Sequence, residues 1–557
     1  PSMRLTRSVL FAAACIFLLF PVLSASGSWR TAPLNPEFLA QRTGESFNLH
    51  SMGGPGRRNT AQRRSLGEEP SPLDLSHVRA PVHFSGIRGG GDVSAAAVSF
   101  PSSFSLPTEG RMTPIRDQAP YGTCWAFGAF ASLESFFAGQ GEGNLDFSEW
   151  HLAYFAYVDE GEGLPGFTGN TDPHFGGDPI FDQGGNAWMS AALLARWTGA
   201  VTEADRPYQN VTPWPEESRP LSSDRAAKRL EHVLYLGSAP DMDSIKYALT
   251  HYGAVRIGVR WPWWDFEDQV LSPSFAFYNY DPVGFQSGGH AVAIAGWDDD
   301  FPAANFVRDP GRNGAWLVKN SWGEAWGNDG YFWVSYADPT LNSPSAYIGG
   351  EPDTFNSVYQ YDPLGWVTGY GTGNETAWFA NVFAASEGRS GLAEVLQAVS
   401  FYSAASESSY RIEIRRNVSR AAPFENAPVS VKEGVLGPSG YHTVRLDREV
   451  FLSPDSLFSV AVKITTPGYA YPVPLESSEA GYSDKADAEP GQSFISADGV
   501  SWSDLTALPG HEKSNVCLKA FTSFAENSGG GCSLGGGGFA GLLLLLPLVP
   551  VLWRRGK

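Results

Sequence analysis

At 557 residues the chain is too long for a single hydrophobic core, and at roughly 150 residues per domain it divides into about three or four units. Its net charge of −20 argues against nucleic acid or anionic lipid as a partner and for a soluble, self-repelling surface. Only four cysteines occur, at 15, 124, 517 and 532; the outer two lie in terminal segments and the inner two in different predicted domains, so no disulfide framework is expected and Cys124 is left for chemistry.

Residues 1–27 have the order of a secretory signal peptide: Arg4 and Arg7, an apolar run from Val9 to Leu23, then Ser24, Ala25, Ser26 and Gly27. The mature chain is expected to start near residues 25–28. Acylation at Cys15 in Ala12-Ala13-Ala14-Cys15 is the weaker alternative, because the apolar run continues past it. Residues 28–100 are rich in Pro, Gly, Ser and Arg, with Arg57-Arg58, Arg63-Arg64 and Gly89-Gly90-Gly91, and read as an extended pro-segment or linker of weak intrinsic order.

Chemistry begins in the next stretch, 101–347. Gln118-Ala119-Pro120-Tyr121-Gly122-Thr123-Cys124-Trp125-Ala126-Phe127 puts a cysteine after a glycine turn and before a helix-compatible apolar run ending near Phe137. The positive end of a helix dipole favours thiolate over thiol, although a buried cysteine is as commonly a small hydrophobe. Further on, Gln183-Gly184-Gly185-Asn186 forms a glycine-rich stretch. Ser287-Gly288-Gly289-His290-Ala291-Val292 places a histidine at the start of an apolar strand, and Lys319-Asn320-Ser321-Trp322-Gly323 an asparagine at the end of the following one. An asparagine amide accepting from one imidazole nitrogen aims the other at a sulfur, the logic of a nucleophile, base and orienting group.

The cysteine, histidine and asparagine stretches, the last with Trp326, Gly327, Gly330 and Tyr331, resemble the three signature regions of the papain family over about residues 101–347, and the Gln183–Asn186 stretch resembles that family's glycine-rich cleft wall. The resemblance implies an α+β fold, with a helical lobe carrying Cys124, a β-rich lobe carrying His290 and Asn320, and substrate bound between them. It implies that Cys124 attacks the scissile carbonyl, that His290 takes part as the imidazolium of a thiolate pair and then protonates the leaving amine, that Asn320 orients the ring and that Gln118 donates to the oxyanion. Gly184, Gly185 and Gly289 would line the substrate cleft, and Trp322 would shield the His–Asn hydrogen bond. Gly289 leaves bare the wall of the pocket for the side chain two residues before the cut, so no preference there is legible. Tyr121 and Gln183 stand where many members carry bridged cysteines. The Cys-to-His separation, 290 minus 124 or 166 residues, exceeds the roughly 130–150 usual, the excess falling in Val158–Phe181 and Trp261–Gln286. The long helical inhibitory pattern of many relatives is missing from the pro-segment.

Residues 357–524 alternate in short strands such as Tyr410–Ile414 and Leu457–Val462, an all-β sandwich that resembles the lectin-like domain following the peptidase in some bacterial and archaeal papain-family proteins. Surface glycan is the candidate partner, with a simple spacer as the alternative. In the tail, 528–557, Gly530-Gly531-Cys532-Ser533, a glycine spacer, the apolar stretch Phe539–Trp553 and Arg554-Arg555 resemble a bacterial glycine-rich sorting tail. An unprocessed single-span anchor is the alternative. Both readings export the protein and hold it at the membrane facing outward, and the sorting-tail reading leaves release after processing open. No cofactor or metal is implied: Asp298-Asp299-Asp300 lacks the spacing of a calcium loop. The leading expectation is an extracellular endopeptidase acting on proteins or peptides. A surface adhesin with a vestigial peptidase fold, or an acyl transferase using the same thioester, are the alternatives; intact Gln118, Cys124, His290 and Asn320 speak against decay.

Overall fold

The computed structural model describes residues 28–43, 66–87, 94–143, 145–168, 180–388 and 392–526. The readings of 1–27 as a signal peptide and 528–557 as a tail lie outside the described residues. No described helix is long and apolar enough to cross a membrane.

The helix Cys124–Gly139 is the centre of the first lobe. Its run from Cys124 to Phe137 has no polar face and is buried throughout, as an all-apolar helix must be. Helices Glu149–Tyr157 and Ala187–Ala195 cover it on one side, and strands Gly288–Asp298 and Asn342–Gly350 on the other. Its few polar side chains are satisfied by the elements packed around it. Ser132 Oγ donates to Ala254 O at 2.5 Å and accepts from Tyr347 N at 3.0 Å, while Glu134 accepts from the Phe147 N–H at 2.8 Å. The second lobe is a set of antiparallel strands in which Val255–Trp261, Gly288–Asp298, Ala315–Lys319 and Tyr331–Ser335 are successive neighbours. His290 lies opposite Val259, and the strand that carries it pairs with Val255–Trp261 over residues 288–294 and with Ala315–Lys319 over residues 293–298. Part of the extra length between Trp261 and Gln286 adds an edge strand, Ala276–Phe277, parallel to Tyr331–Ser335.

The all-β unit is a sandwich. Ser408–Val418 and Leu457–Thr465 pair with Ile412 opposite Val462 and Ile414 opposite Val460. These side chains face a core shared with Leu396, Val399, Phe401 and Leu518 of the opposing sheet. The alternation seen in the sequence is therefore the alternation of buried and outward faces. The two units are not separate layers joined by a tether. Ser439–Leu452 of the sandwich pairs antiparallel with Arg229–Tyr235 of the catalytic lobe, Ser439 opposite Tyr235 and His442 opposite His232, so one twelve-stranded sheet runs through both.

The reading of 28–100 as weakly ordered is corrected for its described parts. Arg30–Thr31 adds a strand to Thr368–Gly371 of the β unit. The helix Pro36–Thr43 buries Phe38, which packs edge-on against Tyr482. His77 stacks on Tyr469 at 3.8 Å, and Phe84 on Tyr247 at 4.2 Å. Few apolar residues suffice to hold this segment because it adds to surfaces already built.

His232 and His442 sit at the seam with ring centroids 5.7 Å apart. Burial lowers His232 to about 4 and His442 well below its ordinary value. Both are therefore neutral in the fold but take up protons below about pH 6.5 when unfolded, so their stabilisation is complete above that pH and is lost as pH falls toward 4. In thermal melts at pH 7.5 and 5.0, His442→Gln should show a smaller acid-induced drop in Tm than the parent chain; an equal drop would remove the seam from the explanation.

Candidate active site

The loop Gln118–Thr123 delivers Cys124 to the first position of its helix. The loop is held from several sides. The Tyr208 hydroxyl donates to Gln118 O at 2.7 Å and shares a 2.6 Å hydrogen bond with the Thr123 hydroxyl. Gly122 N–H donates to Asp182 Oδ1 at 3.0 Å, and the buried Tyr121 ring packs against Phe181, Trp150 and Tyr208. Asp182 and Phe181, rather than Gln183, thus secure the loop where relatives have a bridge. Cys124 and Cys517 are both free and buried.

Across the lobe boundary, Ala291 N–H donates to Cys124 Sγ at 3.4 Å, which sets the sulfur beside the base of the His290 side chain. His290 Nε2 lies 2.8 Å from Asn320 Oδ1. The same Oδ1 accepts the Ser321 N–H at 2.8 Å, which identifies it as the oxygen end of the amide; His290 Nε2 therefore carries the proton and Nδ1 is the basic nitrogen of the neutral ring. Trp322 stacks over the imidazole at 4.5 Å, and Trp261 meets Trp322 edge-on at 4.8 Å. This wall keeps water from competing for the His290–Asn320 bond.

Gln118 is buried beneath Cys124. Its Oε1 accepts from the Ser321 hydroxyl at 2.6 Å, so its amide nitrogen faces the other way and donates to Tyr121 O at 2.9 Å. One asparagine–serine dipeptide thereby orients both the imidazole and the glutamine amide. Gly184 and Gly185 form the opposite wall, where the Tyr157 hydroxyl donates to Gly184 O at 2.8 Å. Asn186 then caps the helix Ala187–Ala195 by accepting from Trp188 N and Met189 N at 3.0 Å. Of the residues expected from the sequence, Gln118, Cys124, His290, Asn320 and Trp322 are brought together around the Cys124–Ala291 and Asn320–Ser321 contacts, while Gly184, Gly185 and Gly289 lie against the backbone or side chains of residues 67–69.

Sequence reasoning missed what fills the cleft. Leu66–Glu69 lies extended between the walls, with Gly185 N donating to Gly67 O at 2.9 Å, Glu69 N to Gly185 O at 2.8 Å and Glu68 N to Gly289 O at 3.2 Å. A Cβ on Gly289 would strike the Glu68 backbone, and one on Gly185 the Trp125 ring, which is why both walls are glycine. Glu68 pairs with the fully buried Arg256. A charged residue inside the apolar run Val255-Arg256-Ile257-Gly258-Val259 was the available signal. Burial, and then the neighbouring Glu68 carboxylate, push the Cys124 thiol up to about 12, against hydrogen bonds from Ala291 and Gly67 and the charge of Arg256. In this covered form Cys124 is a thiol.

Other titratable groups have local partners. His151, whose pKa burial lowers to about 4, faces Asp224 at 3.8 Å, and His174 lies outside the described residues. Asp299 is paired with Lys246 at 2.7 Å. No group of three His, Cys, Asp or Glu among the described residues is arranged to hold a metal.

Residues 100–343 match the papain family cysteine protease family, and residues 358–522 the lectin like domain family. Among curated proteins, the chain is similar to the viral cathepsin of Spodoptera litura multicapsid nucleopolyhedrovirus, 25% identical over 252 residues that cover 43% of this chain and 58% of the relative. It is also similar to falcipain-3 of Plasmodium falciparum, 30% identical over 229 residues covering 40% of this chain and 38% of that protein. The chain thus spans 58% or less of the length of these two relatives. Among solved structures, the cysteine protease and lectin-like domains of Cwp84, a surface layer associated protein of Clostridium difficile, align with a TM-score of 0.67 and 23% identity over 89% of this chain and 98% of that one. The likeness is one of fold, and it includes both units in the same order.

Unseating the cover should expose the sulfur. A Cβ at Gly67 would collide with the Gly122 carbonyl, so Gly67→Val should raise the rate of Cys124 alkylation by iodoacetamide at pH 7.5 at least tenfold over the parent chain, measured by mass spectrometry of the Cys124 peptide. An unchanged rate would mean that Leu66–Glu69 does not guard the thiol.

Proposed function

This chain carries a papain-family cysteine protease domain joined to a lectin-like domain, and we propose that it hydrolyses polypeptides with Cys124 as nucleophile and His290 as its acid–base partner. The observation that supports the assignment best is the single amide oxygen Asn320 Oδ1, which fixes the proton on His290 Nε2 and leaves Nδ1 to take the proton of Cys124. Once the cleft is open, Sγ attacks the scissile carbonyl carbon as its proton passes to Nδ1. The oxyanion is stabilised by the Cys124 backbone N–H, at a helix N-terminus, and by the Gln118 amide. His290 then gives its proton to the departing amine, leaving a thioester on Cys124. Water, deprotonated by Nδ1, attacks the thioester, and the acid product leaves with the thiol restored. No metal or cofactor is called for by these steps.

The same reading makes Leu66–Glu69 a cover that keeps the newly made enzyme latent, with hydrogen bonds to both walls in place of a substrate's. It places the enzyme outside the cell, on the strength of Arg4, Arg7 and the apolar run before Gly27, and holds it at the membrane by the glycine-rich tail around Cys532. Glycan as the partner of the β unit is supported by the lectin-like match alone.

Cys124→Ala should abolish both casein cleavage and labelling by an epoxide thiol inhibitor. Gln118→Ala should keep labelling but lower kcat by about 10²–10³-fold, as expected for loss of one oxyanion donor. Cleavage surviving in Cys124→Ala would sink the nucleophile assignment.

A further inference from the structure

Arg256 has no role in the reaction above, yet it lies fully buried in the floor of the cleft. It is the second residue of the strand Val255–Trp261, opposite Ala293 of the strand that carries His290. Its stem runs along the helix of Cys124, where a Cβ on Gly128 would come within 3.1 Å of its Cγ. Among the described residues its one ion pair is with Glu68, a residue of the cover and not of the catalytic domain. A buried guanidinium is tolerated only with a counter-charge, and this site takes its counter-charge from the segment that must leave before substrate can enter. The backbone that presents Glu68 hangs between Gly185 and Gly289, the two walls a substrate would use, and the adjoining Gly67 hydrogen-bonds the sulfur. Glu68 therefore occupies a side-chain subsite one residue removed from the reacting centre.

We infer that Arg256 makes this subsite select an acidic side chain, so that the peptidase prefers polypeptides carrying Glu or Asp two residues before the cut, and that Glu68 is a built-in stand-in for that side chain. The chemistry favours carboxylate over any neutral residue. A glutamine or leucine in the same place would leave the guanidinium buried and unpaired, and a lysine would add a second positive charge to it. Arginine suits the task because its planar fork stays charged at every working pH and matches a carboxylate with two parallel N–H groups. The inference rests on Cys124 as nucleophile and identifies what that site accepts.

The test uses the full chain carrying Gly67→Val, which unseats the cover, together with Glu68→Ala, which empties the subsite, and peptidyl vinyl sulfones that differ only in the second residue from the warhead: Glu, Gln, Leu or Lys. The Glu probe should label Cys124 at least tenfold faster than Gln or Leu, and Lys slowest. Adding Arg256→Met should erase the Glu preference, while Arg256→Lys, which keeps the charge, should retain part of it. Should Arg256→Met fail to fold, the probe series and the lysine variant still decide. Leu or Gln labelling as fast as Glu, or a Glu preference that survives Arg256→Met, overturns the inference. If iodoacetamide itself leaves Cys124 unmodified in the uncovered chain, the nucleophile reading falls and takes this one with it; labelling by iodoacetamide with no advantage for the Glu probe overturns the subsite alone.

Discussion

The active centre depends on one meeting of lobes: the first turn of an apolar helix set against an internal strand, with the Ala291 N–H on Cys124 Sγ at 3.4 Å. A nucleophile on a helix and a base on a strand can be held to a few tenths of an ångström only if both elements are braced on every side. The helix is covered by two others and by the sheet, and the strand Gly288–Asp298 is paired along its whole length, with Val255–Trp261 in its first half and Ala315–Lys319 in its second. From that contact the remaining parts follow. Asn320 and Ser321, at the end of the next strand, hold the imidazole and the Gln118 amide together, so the groups proposed to move protons and to face the oxyanion share one support.

The candidate site was legible in the sequence because the proposed chemistry needs fixed residue types in short local runs. Cys124 after a glycine turn, His290 at a strand start and Asn320 before Ser321-Trp322 each carry their role within a few neighbours. The helical and β-rich lobes followed from the same runs, since an unbroken apolar helix and alternating strands have few ways to be buried. Long-range pairings were not legible. The seam between Tyr235 and Ser439 joins strands some 200 residues apart (439 minus 235 is 204), and nothing local in either strand marks its partner. The docking of Leu66–Glu69 was hidden for the opposite reason: its polar, glycine-containing sequence has the composition of a linker, and its order is borrowed from the cleft that receives it. Arg256 could be noticed as a charge in an apolar strand, but only the fold shows that its partner is a transient one.

The shared sheet changes how the β unit is to be regarded. Two domains on a flexible tether sample many orientations, whereas two that share an antiparallel ladder move as one body unless its hydrogen bonds break. The strand Arg30–Thr31, added to the β unit, and the helix Pro36–Thr43, packed near the cleft, extend the same coupling to the N-terminal segment. Whatever surface the β unit recognises is then presented at a fixed angle to Cys124.

The path of the N-terminal segment also decides which proteolytic event can switch the molecule on. Leu66–Glu69 is continuous in sequence with the catalytic domain that follows it, so a cut before residue 66 leaves the cover covalently attached beside its own binding site. Its effective concentration there remains in the range of tethered ligands, roughly millimolar, and rebinding outruns entry of a dilute substrate. A cut on the far side of Glu69 frees these residues from the catalytic domain and leaves them on an N-terminal fragment held only by non-covalent contacts, those of Arg30–Thr31 and Pro36–Thr43 among them. Maturation is then governed by topology, by the side of the cleft on which the bond is broken, more than by the number of bonds broken upstream.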